Sequence, residues 1–294
     1  MKMRFCLLES LCDIRHLGPL AIAAENAGFD AMAIPESIFY PEQSDSRYPY
    51  LSSGDRNFID NPMLDPFVSA THLATLTSTL QLVSFVVKLA VRNPVLAAKS
   101  ATSVAALSNN RFKFGVGLSP WPEDYTVCGQ DWEKRGTRMD EMLEIVRGLA
   151  EGEFFEYHGR FYDFGPIKLN PVPDRRMPIL VGGHADAALR RAILHGDGWM
   201  HAGGDRDELD PLLARLGQLR EELGHTDPAF EIHVISPLAY SAEGVEELAT
   251  KGVTDLIVGF RNVYDPVSRN MTLQQKIDLL QGYAENVISA FRRR

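Results

Sequence analysis

Hydrophobic and polar positions alternate in a repeating order along the chain. Short β-rich apolar runs are followed by longer stretches with apolar residues on one helical face. The runs Met3-Leu8, Asp30-Ile34, Leu80-Val87 and Arg111-Val116 read as four strands. Between and after them, Arg15-Ala27, Leu64-Leu76, Pro94-Leu107 and Arg138-Ala150 read as helices. Gly28 is placed to cap the first helix and Pro94 suits the first turn of the third. The cycle then pauses at His158-Gly159, flanked by Phe154-Tyr157 and Arg160-Phe164, which predicts a small hairpin. It resumes with strands at Pro178-Val181, Gly198-His201, Phe230-Ser236 and Asp255-Gly259. The helices after these are Ala185-His195, about Asp207 to Leu223, Glu243-Lys251 and Leu273-Arg292.

Strict strand–helix alternation implies a parallel sheet with right-handed crossovers. Eight such units predict a (β/α)8 TIM barrel with a hairpin insertion between units four and five; an open doubly wound sheet is the other solution. No linker or internal repeat divides the chain, so residues 1–294 are expected to form a single domain. The longest irregular stretch, Ser37-Asn61, follows strand two and would lie over the C-terminal face of a barrel.

In such a barrel the active site lies at the strand C-termini. That rule selects Glu36-Ser37, Ser84-Phe85-Val86, Gly117-Leu118-Ser119, Gly182-Gly183-His184, His201 and Ser236. Gly182-Gly183 ends an apolar strand and opens a helix, where backbone N–H groups and the helix dipole favour a phosphate; a tight turn needing a positive φ is the structural alternative. Gly115-Val116-Gly117 is not a dinucleotide fingerprint, because Pro120 stands at the third glycine position. Trp121, Tyr125 and Trp132 in the next loop are candidates to wall a flat ring, or simply to pack the loop. Phe39, Tyr40, Tyr48 and Tyr50 would make the loop after strand two partly apolar. Glu123-Asp124 reads equally well as a solvated turn, and His233 as an ordinary strand position.

Composition narrows the partners. A formal net charge of -9 argues against nucleic acid and anionic membrane surfaces. The three cysteines, Cys6, Cys12 and Cys128, form no metal or disulfide pattern. No apolar run is long enough to span a bilayer, and Glu9 and Asp13 interrupt any leader-like stretch. A cytoplasmic location is the expectation. No metal site is expected, because His and Asp are not clustered at strand ends.

From Arg92 onward the sequence resembles the bacterial luciferase-like monooxygenase superfamily. The residues that carry the likeness are Arg92-Asn93-Pro94, Ala98-Lys99, Ala105 to Arg111, Gly115-Val116-Gly117, Gly129, and Arg135-Gly136 with Arg138 to Glu141. A second stretch runs from Pro178 to Gly183, continues at Ala188 to Ala192, and ends at Gly196-Asp197-Gly198-Trp199. Within the superfamily the chain looks most like the branch using the deazaflavin coenzyme F420, with FMN as the alternative. The resemblance implies a ring across the barrel mouth, touching Ser84, Phe85, Val86, Gly117 and Leu118, with its phosphate near Gly182, Gly183 and His184. It also implies a bulge in strand three with a non-proline cis peptide, placed by distance at Ser84-Phe85. Hydride transfer to or from a small organic substrate, a homodimer and, for FMN, a partner reductase belong to the same picture. A non-catalytic cofactor-binding barrel is the third reading. The His that many members carry after strand two is Ser37 here. Glu36, His184 and His201 are therefore the candidates for acid–base work, unless the ring needs no side chain.

Overall fold

The computed structural model describes residues 3–54, 62–204, 208–261 and 270–294. Its strands are β1 (Arg4–Leu8), β2 (Ala31–Ile34), β3 (Gln81–Ser84), β4 (Val87–Lys88), β5 (Phe112–Gly117), β6 (Phe155–His158), β7 (Asp163–Ile167), β8 (Ile179–Gly182), β9 (Gly198–Met200), β10 (Glu231–Val234) and β11 (Asp255–Val258). The helices are α1 (Ile14–Ala27), α2 (Pro66–Leu76), α3 (Pro94–Leu107), α4 (Pro122–Val127), α5 (Arg135–Ala150), α6 (Asp186–His195), α7 (Leu209–Glu222), α8 (Ala242–Thr250) and α9 (Leu273–Tyr283). The last helix continues through a π turn, Ala284–Ile288, into Ser289–Arg292.

All pairings around the main sheet are parallel, and the pairing of β3 with β5 closes it. The circle runs β1, β2, β3, β5, β8, β9, β10, β11 and back to β1. This is the expected eight-stranded barrel. The antiparallel pair β6–β7 is the expected hairpin between units four and five.

Local chemistry explains why the helices start where they do. Asn93 accepts hydrogen bonds from the N–H groups of Val95 and Leu96, with Pro94 in the first turn of α3. Asp65 does the same for Phe67 and Val68, with Pro66 opening α2. Gly28, at φ 88°, takes the left-handed turn that ends α1.

Strand side chains alternate between two cores. Phe5, Leu7, Met32, Leu82, Phe112, Phe114 and Trp199 belong to the layer shared with the surrounding helices. Cys6, Ala31, Ala33, Val83, Leu180, Met200 and Ile257 fill the barrel interior. Below that interior layer stand Arg4, Lys113, Glu231 and Asp255, each first or second in its strand, together with His233, third in β10. Above it the barrel opens.

Strand three departs from regular geometry. Val83 pairs with Lys113, but the next pairing is Val87 with Val116. One extra residue on strand three makes a β-bulge between β3 and β4. The cis peptide lies at Phe85–Val86. It is one residue beyond the expected Ser84-Phe85, because spacing from Arg92-Asn93-Pro94 locates the bulge but not the bond inside it.

Candidate active site

A cavity of about 360 Å³ occupies the C-terminal mouth of the barrel. That volume is within the usual range for small-molecule sites. Its floor and walls come from strand ends: Leu8 and Ser10 after β1, Glu36 after β2, Phe85, Val86 and Lys88 from the bulge, Gly117 and Leu118 from β5, and Gly182 and Gly183 from β8. Met200, Ile235, Gly259 and Arg261 complete the ring of strands. Tyr48 and Tyr50, from the loop after β2, and Trp121 wall the top.

The expected ring-contact residues mostly converge. Glu36, Phe85, Val86, Gly117, Leu118, Gly182 and Gly183 all line the cavity. A Cβ at Gly117 would stand 2.8 Å from Val86 Cγ2, and one at Gly182 would stand 3.2 Å from Val86 Cγ1. These glycines therefore let the bulge sink into the barrel mouth. Gly183, at φ 129°, takes a backbone conformation that favours glycine, and its carbonyl accepts from Trp199 Nε1 at 2.8 Å. No side chain caps α6, which starts three residues later.

Three expected residues stand behind the wall instead. Ser84 is fully buried, with its hydroxyl donating to the Gly115 carbonyl at 2.8 Å. The rings of His184 and His201 stack at 4.6 Å and neither lines the cavity. His184 Nε2 accepts from the Ala202 N–H at 3.0 Å, which leaves Nδ1 to donate to Glu208 at 2.9 Å. Both ring positions are used in fixing the loop after β9. Burial, reinforced by neighbouring His184, lowers the His201 pKa to about 4. His201, one residue beyond β9, is buried between the His184 and Trp199 rings.

Glu36 is at the wall but fully engaged. One oxygen accepts from Arg92 and the other from the Lys88 backbone N–H at 2.6 Å. Burial raises its pKa, against the opposing pull of Arg92 and that N–H. Lys88 is the residue that spacing rules missed. Its Nζ lies 2.6 Å from Asp124 Oδ2, and Ser119 Oγ donates to the same oxygen at 2.5 Å. Asp124 is fully buried, not part of a solvated turn. Glu123, its neighbour, accepts from Ser44 and Ser46 and so ties the loop after β2 to α4.

The aromatic expectations divide. Tyr48 stacks on Trp121 at 5.8 Å, and Tyr50 meets His184 edge-on at 4.7 Å. Tyr125 is instead buried in the core, with Trp132 packed edge-on against it at 5.1 Å. Phe39 and Tyr40 do not line the cavity. Asn61 and residues 55–60 lie outside the described residues.

Among the described residues one group of metal-type ligands lies close enough to share an ion: Glu231, His233 and Asp255, at the opposite end of the barrel. Lys113 already bridges both Glu231 oxygens at 2.8 and 2.7 Å, and Arg4 pairs with Asp255. A divalent cation there would face two fixed cations. Among the described residues, no helix is long and apolar enough to cross a membrane.

Comparison with known proteins agrees with this geometry. The model of the family described as luciferase-like monooxygenase matches residues 7–285. The uncharacterized protein Rv0940c of Mycobacterium tuberculosis is 54% identical over 288 residues, covering 98% of this chain and 99% of that protein. Among solved structures, monooxygenase RslO1 from Streptomyces bottropensis superposes with a TM-score of 0.77 at 16% identity, over 98% of this chain and 100% of that one. An F420-dependent secondary alcohol dehydrogenase, in complex with an F420-acetone adduct, gives 0.74 at 15% identity, over 99% and 100%. At such identities the structural likeness speaks for the fold alone. With the family match spanning almost the whole barrel, the chain belongs to the luciferase-like monooxygenase family.

Proposed function

We propose that the chain is an oxidoreductase that transfers hydride between the deazaflavin F420 and a small organic substrate. The observation that carries this reading is the mouth cavity, lined by the strand-three bulge and by the glycine turn after β8 that packs beside it. Val86 and the Tyr48–Trp121 pair line the space in which a flat ring would lie, and the uncapped start of α6 beside Gly182-Gly183 is where its phosphate would sit. The bound deazaflavin would supply the hydride chemistry. The chain's own part is to hold the ring, exclude water with Tyr48, Tyr50 and Trp121, and place the substrate under that aromatic cover. Solved structures of this fold carry F420 or a modified FMN, so the preference for the deazaflavin rests on the resemblance of the sequence to the F420-using branch.

We assign proton transfer to the Lys88 ammonium. Lys88 lines the cavity, whereas Glu36 has both oxygens committed and His184 and His201 stand behind the wall. Asp124 holds Nζ in place without lining the cavity itself. Titration of the purified protein with F420 and with FMN, followed by fluorescence, tests the cofactor. Micromolar F420 binding is the expected result. FMN binding with none of F420 would overturn it in favour of a flavin-dependent monooxygenase, and tight F420 binding without turnover over a broad substrate panel would favour a cofactor-holding barrel.

A further inference from the structure

Among the described residues, one corner of the mouth holds more positive than negative charge. Glu9 follows β1, Arg261 follows β11, and Lys276 stands in the first turn of α9. Arg261 Nε lies 2.7 Å from Glu9 Oε1, and Lys276 Nζ lies 2.8 Å from the same oxygen. Arg261 Nη2 also donates to the Ser10 carbonyl. The three side chains are buried, at 2%, 6% and 5% exposed for Arg261, Glu9 and Lys276. Two cations thus share one carboxylate, and among the described residues no second carboxylate pairs with either. Arg261 Nη1 is buried and, among the described residues, has no hydrogen-bond partner.

A buried charge without a counterion is strongly disfavoured. Neighbouring groups do not provide one. Burial keeps the Cys12 thiol protonated, with its pKa pushed up to about 11. Asp13 is committed to Arg15 on the surface. Arg261, Ser10 and Leu11 line the main cavity, and β1 and β11 lie across the barrel from the β8 turn. A ligand group entering this corner is therefore separate from a phosphate at Gly182-Gly183.

We propose that Arg261, braced by Glu9 and Lys276, forms a subsite for a monoanionic group on the substrate, a carboxylate being the match to a single surplus positive charge. Calling that ligand a substrate rests on the hydride-transfer reading; the charge argument rests on the three residues alone.

The test uses cofactor-free protein, so that failure of the F420 reading leaves it readable. Benzoate and its neutral isostere benzamide are titrated by calorimetry, with Trp121 fluorescence as a second signal. Wild-type protein is expected to bind benzoate at least about tenfold more tightly than benzamide, with the preference shrinking as salt rises. Arg261→Met, and independently Lys276→Met, should each bring the two ligands within about twofold. Equal binding of benzoate and benzamide to the wild type would overturn the proposal without recourse to any variant. A benzoate preference that survives both substitutions would overturn the assignment to these residues. A tenfold loss of F420 affinity in Arg261→Met, with the benzoate preference intact, would give the corner to the cofactor's own anionic tail.

Discussion

The two ends of the barrel are both lined with buried charge, yet they are built on opposite terms. At the N-terminal end, Arg4 and Lys113 face Glu231 and Asp255, and His233 Nε2 lies between the two carboxylates. Arg4 Nε meets Asp255 Oδ1 at 2.7 Å, His233 Nε2 meets Glu231 Oε2 at 2.7 Å, and Thr254 Oγ1 meets Asp255 Oδ2 at 2.6 Å. At the C-terminal end, Lys88 pairs with Asp124 and Arg92 with Glu36 and Asp65, but among the described residues the Glu9 corner retains a surplus cation beside an open cavity. The closed end pairs its acidic and basic groups with one another, while the buried His233 Nδ1 has no partner among the described residues. The open end leaves Arg261 Nη1 without a partner among the described residues, on a residue that lines the cavity. In a barrel whose parallel strands all point the same way, this is the division between holding the fold and serving the chemistry.

The sharpest way to break the comparison is to remove one cation from the closed end. Lys113→Met removes the ammonium that holds both Glu231 oxygens and leaves Glu231 and Asp255 to share Arg4 and His233 in a buried cluster. It is expected to cost about 3–5 kcal/mol, seen as a Tm drop on the order of 10 °C in a thermal melt. Cofactor affinity should stay within about twofold. A melt that barely moves would show that the cluster is not what closes this end.

At the open end, Lys88→Met should lower turnover by about a hundredfold or more if Lys88 handles the proton. Cofactor affinity measured by fluorescence should change little. Lys88→Arg, which keeps the ion pair with Asp124, separates charge from proton transfer: it should restore stability but not rate. Equal turnover in all three proteins would remove Lys88 from the mechanism.

Acid titration sharpens the contrast by pH window. Burial alone would raise the Asp255 pKa, but His233, Arg4 and Lys113 outweigh it and bring it to about 2. The stability from a depressed carboxyl is present above its unfolded value near 4 and is lost as pH falls towards 2. His201 belongs to the other end and to a higher window. Its folded pKa of about 4 lies below the unfolded value near 6.5, so its contribution fades as pH falls from 6.5 towards 4. His201→Phe should therefore flatten the stability–pH curve between pH 6.5 and 4, by about 1–3 kcal/mol, and leave the steep loss below pH 4 in place. Unchanged curvature in that upper window, followed by chemical denaturation, would count against His201 as a neutral buried ring.

The smallest expected effect is on stability in Arg261→Met. Removing the surplus cation leaves a neutral Glu9–Lys276 pair, so the change should stay within about 1 kcal/mol. The same kind of substitution, cation to Met, thus separates the two ends by its stability cost.

Much of the architecture was legible because periodicity reports burial directly. Every barrel strand and its following helix fell within a few residues of the expected positions, since a parallel strand buried on both faces leaves a short apolar run bounded by turns. The hairpin was legible from His158-Gly159 in the same way, although its second strand begins at Asp163, not Arg160. Helix α4 was not read from the sequence, being only six residues long and opened by Trp121-Pro122.

The site was half legible. The rule that chemistry sits at strand C-termini was enough to find Glu36, Phe85, Val86, Gly117, Leu118 and the Gly182-Gly183 turn, because it depends only on chain order and fold class. It could not say which of two successive strand-end residues faces inward. A single residue of register turns a side chain from the cavity to the packing behind it, which is why Ser84, His184 and His201 stand outside while Lys88 stands inside. A bulge makes this worse, since it shifts the register at the very strand that supplies Phe85, Val86 and Lys88.

Chain order and residue type thus determined the eight-unit barrel, the end at which its site would open and the glycine turn after the fifth unit. Only the folded chain decided that Glu9, Arg261 and Lys276 share one corner, that Asp124 holds Lys88, and that five charged or ionisable side chains seal the opposite end. The reason is that these groupings join residues up to 267 positions apart, Glu9 to Lys276 for example, along the closure of a circle. No local pattern records such a distance; it exists only once β11 has paired with β1.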